Sequence, residues 1–236
     1  MCAALCAGSL RCAFRGYVRR VHPKIMAVEG APGVGKSTLA ASLVGATVIP
    51  EVNLLFARPQ PEPADWYNDR QTARWEMAAL AAARNEFVIL DGDPLQPVWF
   101  NRMFGNSGAS WRDAWQFFHA RIIAGRMALP THYIIAHVDE ATRNARLLAR
   151  ERARGLGDER AQRKVERYRT FADTQLPYWR ALAAQFPGWV HFVETTDIAN
   201  ATATLRELIA RAEAKPPAAL DAMAFIEAWL SNVIVA

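Results

Sequence analysis

The sequence predicts an α/β fold: a doubly wound, five-stranded parallel sheet flanked by helices, with an arginine-rich helical lid. Three observations predict it. Gly30-Ala31-Pro32-Gly33-Val34-Gly35-Lys36-Ser37-Thr38 has the spacing G-x-x-x-x-G-K-[ST]. Five short apolar runs alternate with helix-periodic stretches, the pattern of buried parallel strands joined by crossover helices. Arg143, Arg146, Arg150 and Arg154 recur three, four and four residues apart, which predicts one helix face carrying all four cations.

The glycine stretch is a P-loop, so the fold class narrows to a P-loop NTPase. Glycines let successive backbone N–H groups curl round a phosphate. Lys36 reaches the β- and γ-phosphates, and the Ser37 hydroxyl is placed to ligand Mg²⁺. The helix that follows aims its N-terminus at the same anion. ATP and Mg²⁺ are the expected cofactors, with Gly30, Ala31, Pro32, Gly33, Val34, Gly35, Lys36, Ser37 and Thr38 in contact with the nucleotide.

In chain order, the predicted strands are Lys24 to Val28, Thr47 to Ile49, Phe87 to Leu90, Tyr133 to Val138 and Trp189 to Val193. Asp65 is placed to cap a helix running to about Arg84, with Met77, Leu80 and Ala81 turned inward. Ser110 with Asp113 forms a capping box, and Trp111, Trp115, Phe118 and Ile122 follow at helical spacing as core residues. Asp139 sits at the N-cap of the arginine-rich helix. The next helical pattern, Val165 to Leu182, is expected to break or kink at Pro177. After Pro216-Pro217, Leu220 to Val235 reads as one further apolar helix packed on the core.

The domain division follows: residues 1–23 as an unstructured or mis-assigned leader, 24–213 as the P-loop domain with its lid at about 140–160, and 214–236 as the appended helix. All three cysteines (Cys2, Cys6, Cys12) lie in the leader, so no disulfide framework supports the core and a cytoplasmic setting is expected. The net charge of +5 is local. Five of the 28 basic residues precede the first acid, Glu29, and the other 23 balance 23 acidic residues. That distribution argues against a nucleic-acid surface, and no apolar run reaches the length of a membrane span. The expected partner is a small molecule carrying a hydroxyl group; a homodimer is compatible with the sequence.

Two acids compete for the metal. Asp91 ends the run Phe87-Val88-Ile89-Leu90 and enters the turn Asp91-Gly92-Asp93-Pro94 at the mouth of the sheet, where ligands bind in such folds. Asp139, followed by Glu140 as a water-activating base, is the alternative and would make the protein an ATPase acting on a partner protein. Asp91 is the better placed, because Asp139 stands where a helix cap belongs. The arginine row reads as a lid that neutralises charge on a transferred phosphoryl group, with Gly155 and Gly157 allowing movement.

Several stretches, in this order, resemble deoxynucleoside kinases and the related thymidylate kinases: Val28-Glu29-Gly30 into the P-loop, Ile49-Pro50-Glu51, Arg146-x-x-x-Arg150-x-Arg152, and Tyr168 to Trp179. The resemblance implies that Glu51 accepts the proton of the acceptor hydroxyl. It implies that Gln71 and Arg74 meet the acceptor, Asp91 helps to hold Mg²⁺, and Arg146, Arg150 and Arg152 meet the phosphates. Trp66 and Trp75 would shape the pocket. One departure matters: Gly92 stands where the family has arginine, which argues against a phosphorylated acceptor unless Arg74 or Arg102 substitutes. The segment between Glu51 and Asp91 is also short for a nucleoside kinase, so the implied acceptor is a nucleoside-like or antibiotic-like alcohol.

Overall fold

The computed structural model describes residues 25–84, 86–105, 110–211 and 216–233; the leader lies outside them. Five parallel strands form one sheet: β1 (Ile25–Glu29), β2 (Ala46–Ile49), β3 (Phe87–Asp91), β4 (His132–His137) and β5 (Val190–Glu194), in the order β2-β3-β1-β4-β5. Each lies within one residue of its predicted place. The helices are α1 (Lys36–Ala41), α2 (Val52–Leu55), α3 (Trp66–Ala83), α4 (Gln96–Phe104), α5 (Trp111–Ile123), α6 (Glu140–Ala153), α7 (Asp158–Gln185), α8 (Ile198–Arg211) and α9 (Ala219–Asn232).

The sheet is buried on both faces, which is why its strands read as unbroken apolar runs. Ile25, Ala27, Val88, Leu90, Tyr133 and Ile135 meet one core with α3, α4, α5, α7 and α9. Val28, Ile89, Ile134, Ala136 and Val193 meet the other, with α1 and α8. This is the strand's two-residue alternation, applied to a sheet covered on both sides. The larger core is aromatic: Trp99 stacks on Tyr178 and meets Trp179 edge-on, both at 6.0 Å between ring centroids. Ser110 caps α5 as predicted, its Oγ accepting the Asp113 N–H at 3.3 Å.

Three expectations need correction. Met77 and Leu80 are 40% and 56% exposed, and the inner face of α3 is instead Gln71, Thr72, Arg74, Trp75, Ala78, Ala81 and Ala82. Small alanines let α3 approach the sheet closely, and its first turns bury polar groups instead of leucine. Pro177 does not interrupt α7, which runs through it as a single helix of 28 residues. The four arginines do not share an open face. Arg143, Leu147 and Glu151 form the buried strip of α6, and Arg154 lies just beyond the helix.

Candidate active site

The P-loop joins the end of β1 to α1, and its glycines have specific reasons. At Gly30 (φ +146°) a Cβ would stand 2.3 Å from the Ala136 carbonyl oxygen. At Gly33 (φ +90°) it would stand 2.6 Å from Leu147 Cγ, so α6 packs directly on the loop. The Val34 carbonyl is held from behind by the Arg146 guanidinium at 3.2 Å and by the Thr195 hydroxyl. Because the peptide unit is planar and trans, this turns the Gly35 N–H the opposite way. Ser37 and Thr38 are exposed at the start of α1.

Around this cradle the sheet delivers the acids. Glu51, at the N-cap position of α2, places Oε1 3.9 Å from Lys36 Nζ, with its side chain 44% exposed. Asp91, the last residue of β3, is paired in register with Val28 and is buried, and its Oδ1 has no protein partner. Gly92 follows with φ +94°, and the space above it is bounded by Glu51 Cγ at 3.6 Å and Glu29 Oε2 at 3.9 Å. Asp93 is fully committed: Oδ1 accepts the Leu95 N–H and the Tyr133 hydroxyl, both at 2.9 Å, and Oδ2 accepts the Trp99 indole N–H at 2.8 Å. Burial raises the pKa of its carboxyl.

Glu29 escaped the sequence reading. Its side chain is buried, Oε1 accepts the Gly30 N–H and Oε2 the Asp93 N–H, each at 2.8 Å. Burial pushes its carboxyl up to about 7, against the pull of the Lys36 ammonium. The available signal was an acid ending an otherwise apolar strand directly before the P-loop. Tyr67 was also missed: its hydroxyl donates to Gln96 Oε1 at 3.0 Å, and burial pushes the phenol up to about 12.

Gln71 and Arg74 lie together on the buried face of α3, with Arg74 Nη1 donating to Gln71 Oε1 at 2.5 Å. Arg74 Nη2 donates to the Asp91 carbonyl at 2.7 Å and, at 3.5 Å, to those of Ile49 and Gly92. Burial lowers the guanidinium's pKa. Arg74 therefore braces the ends of two strands instead of standing free. Arg102 is equally committed, to the carbonyls of Leu230 and Val233 at 2.8 and 2.6 Å. Both arginines thus serve backbone carbonyls. Trp75 belongs to the core, not to a pocket wall.

The lid arginines are brought together only in part. Arg146 touches the P-loop, as above, and donates to the Thr195 and Thr196 carbonyls at 3.0 and 3.1 Å. Arg150 pairs with the buried Glu151 at 3.2 Å, as do Arg154 at 3.3 Å and Lys164 at 2.7 Å. Arg152 reaches Asp158 at 2.7 Å. Asp139 is the N-cap of α6, its Oδ1 accepting the Thr142 N–H at 2.9 Å.

The residues present fit a magnesium nucleotide. Gly30 and Gly33 leave no room for Cβ atoms, Lys36 follows them within 3.9 Å of Glu51, and Asp91 holds an orphaned buried oxygen. Among the described residues no three His, Cys, Asp or Glu side chains gather as a cage for a metal.

Sheet order and cradle together define a P-loop nucleotide-binding fold. The chain belongs to the AAA domain family, whose model matches residues 25–174, more than half of its length. It is also similar to two solved structures of kinases. A deoxyadenosine kinase from M. mycoides with bound dATP is 16% identical, with 78% of this chain and 97% of that chain covered and a TM-score of 0.47. A thymidylate kinase from Ehrlichia chaffeensis is 13% identical, with 80% and 98% covered and a TM-score of 0.49. No curated protein matches the sequence. Among the described residues no helix is long and apolar enough to cross a membrane.

Proposed function

We propose that the protein transfers the γ-phosphoryl group of ATP to a hydroxyl of a small, unphosphorylated molecule, nucleoside-like or antibiotic-like. The observation that carries this reading is the position of Glu51, a half-exposed carboxylate 3.9 Å from the P-loop lysine. A base so close to the cradle is suited to deprotonating an alcohol as it attacks the terminal phosphate. Lys36 and the loop amides would bind the phosphates, and Ser37 and Asp91 would hold Mg²⁺, which supplies charge neutralisation on the transferred group. Arg146 fixes the cradle from behind. Arg150 and Arg152 would reach the phosphates only by leaving Glu151 and Asp158. Gln71 already accepts Arg74 at its oxygen, which leaves its amide N–H groups to offer an acceptor.

An unphosphorylated acceptor is favoured because the two arginines that could stand in for the one missing at Gly92 are engaged elsewhere. Arg74 and Arg102 both serve backbone carbonyls, and Gly92 has no side chain. The test is ³¹P NMR of the protein with Mg-ATP and a pooled panel of nucleosides, nucleotides and hydroxylated antibiotics. A new phosphomonoester resonance from an unphosphorylated member is expected; inorganic phosphate alone would overturn the reading in favour of an ATPase. Glu51→Gln should keep Mg-ATP binding and lower transfer by roughly 10²–10⁴. Undiminished transfer in that variant would remove Glu51 from the mechanism.

A further inference from the structure

Glu29 is a buried carboxylate with no salt bridge, beside a cradle that binds anions. Burying such a charge is costly unless both oxygens are hydrogen-bonded. Here both are, and the two donors belong to different loops. Gly30 is the first residue of the P-loop; Asp93 is two residues beyond Asp91. The rest of the turn is fixed elsewhere: the Gly92 N–H donates to the Val28 carbonyl at 2.9 Å, and Arg74 holds the Asp91 carbonyl at 2.7 Å. Glu29 thus links the phosphate cradle directly to the acid-bearing turn.

We infer that Glu29 is a positioning residue that transmits occupancy of the phosphate cradle to the Asp91–Asp93 turn, so that donor binding sets the acceptor side of the site. The inference rests on the nucleotide-binding reading above. Each oxygen accepts one N–H, and a carboxylate in its ionised form is the acceptor that serves two N–H groups at once. Glutamine keeps the length but accepts at one end only, and sets N–H against N–H at the other. Aspartate is one methylene too short to span both loops. When phosphate draws in the loop amides, the Gly30 N–H and the Glu29 carboxylate move with them, and the Asp93 N–H follows.

The test is hydrogen exchange of the full chain with and without Mg-AMPPNP, followed in peptides covering residues 29–38 and 90–96. In the wild type both segments should gain protection. In Glu29→Gln the P-loop should still respond, while the response of the turn falls about tenfold, the loss expected for a hydrogen bond to a charged group. An unchanged turn response in the variant would overturn the inference and leave nucleotide binding intact. A silent P-loop in the wild type would instead overturn the nucleotide-binding reading, and this inference with it. If Glu29→Gln does not fold, the wild-type amides decide by NMR. Equal nucleotide-induced slowing at Gly30 and Asp93 supports the link; slowing at Gly30 alone overturns it.

Discussion

His132 opens β4 and His191 lies beside it in β5, with Nδ1 and Nε2 3.3 Å apart and the Gly188 carbonyl 3.2 Å from His132 Nδ1. Burial lowers the pKa of both imidazoles below the ordinary 6.5, and the charge of His191 lowers His132 further. A depressed folded pKa means that the folded state binds protons less readily than the unfolded chain. The stabilising contribution is therefore present above about pH 6.5 and is lost as the pH falls below it. Measured from pH 8 to pH 5, the melting temperature of His191→Gln should hold up better than that of the wild type as the pH falls below about 6.5, while the raised carboxyl pKa values of Glu29 and Asp93 act in the opposite direction in both proteins. At this scale the sequence was informative where a residue type is chemically obliged. Lys36 and Ser37 follow from the P-loop spacing alone. Glu29 and Arg74 were harder, because each acts through a backbone group distant in sequence, Asp93 N–H for Glu29 and the Asp91 carbonyl for Arg74, which no local pattern records.

Between elements, α6 packs closely on the P-loop through Leu147. Gly33 and Gly45 have nearly the same φ, +90° and +88°, but a Cβ at Gly45 meets nothing within 4 Å. Both glycine-to-alanine changes incur the strain of a left-handed residue, about 1–3 kcal/mol. Gly33→Ala must in addition push Leu147 away. Denaturant unfolding should therefore show Gly33→Ala as the more destabilised of the pair, and nucleotide affinity should fall in Gly33→Ala only. The strands were legible because burial on both faces leaves a continuous apolar run. The inner face of α3 was not, since helical periodicity favours leucine while close packing on the sheet selected alanine. The arginine row was misjudged for a related reason: spacing gives the face of a helix but not how deeply it is buried, and here Arg143 shares the buried strip with Leu147 and Glu151.

Over the whole molecule, the family match ends at residue 174, while the aromatic core extends through α7 to α9. Trp229 meets Tyr178 at 5.5 Å, Phe225 meets Phe186 at 5.7 Å, and Arg102 binds the last carbonyls of α9. A cation at a helix C-terminus offsets the helix dipole and satisfies orphan carbonyls. Arg102→Met should cost about 1–3 kcal/mol of stability. It should also speed amide exchange in residues 219–232 ahead of the sheet. The apolar run after Pro216-Pro217 indicated this helix, but its anchor, an arginine more than a hundred residues earlier, became visible only in three dimensions.

The direction of β1 has a practical consequence. Ile25 begins the central strand and Gly30 leaves it at the opposite end, five strand residues later, about 17 Å away. A fluorescent protein or affinity handle fused ahead of Ile25 would join the sheet at the rim remote from the cradle. Immobilising the protein through that end would leave the P-loop rim open to solution.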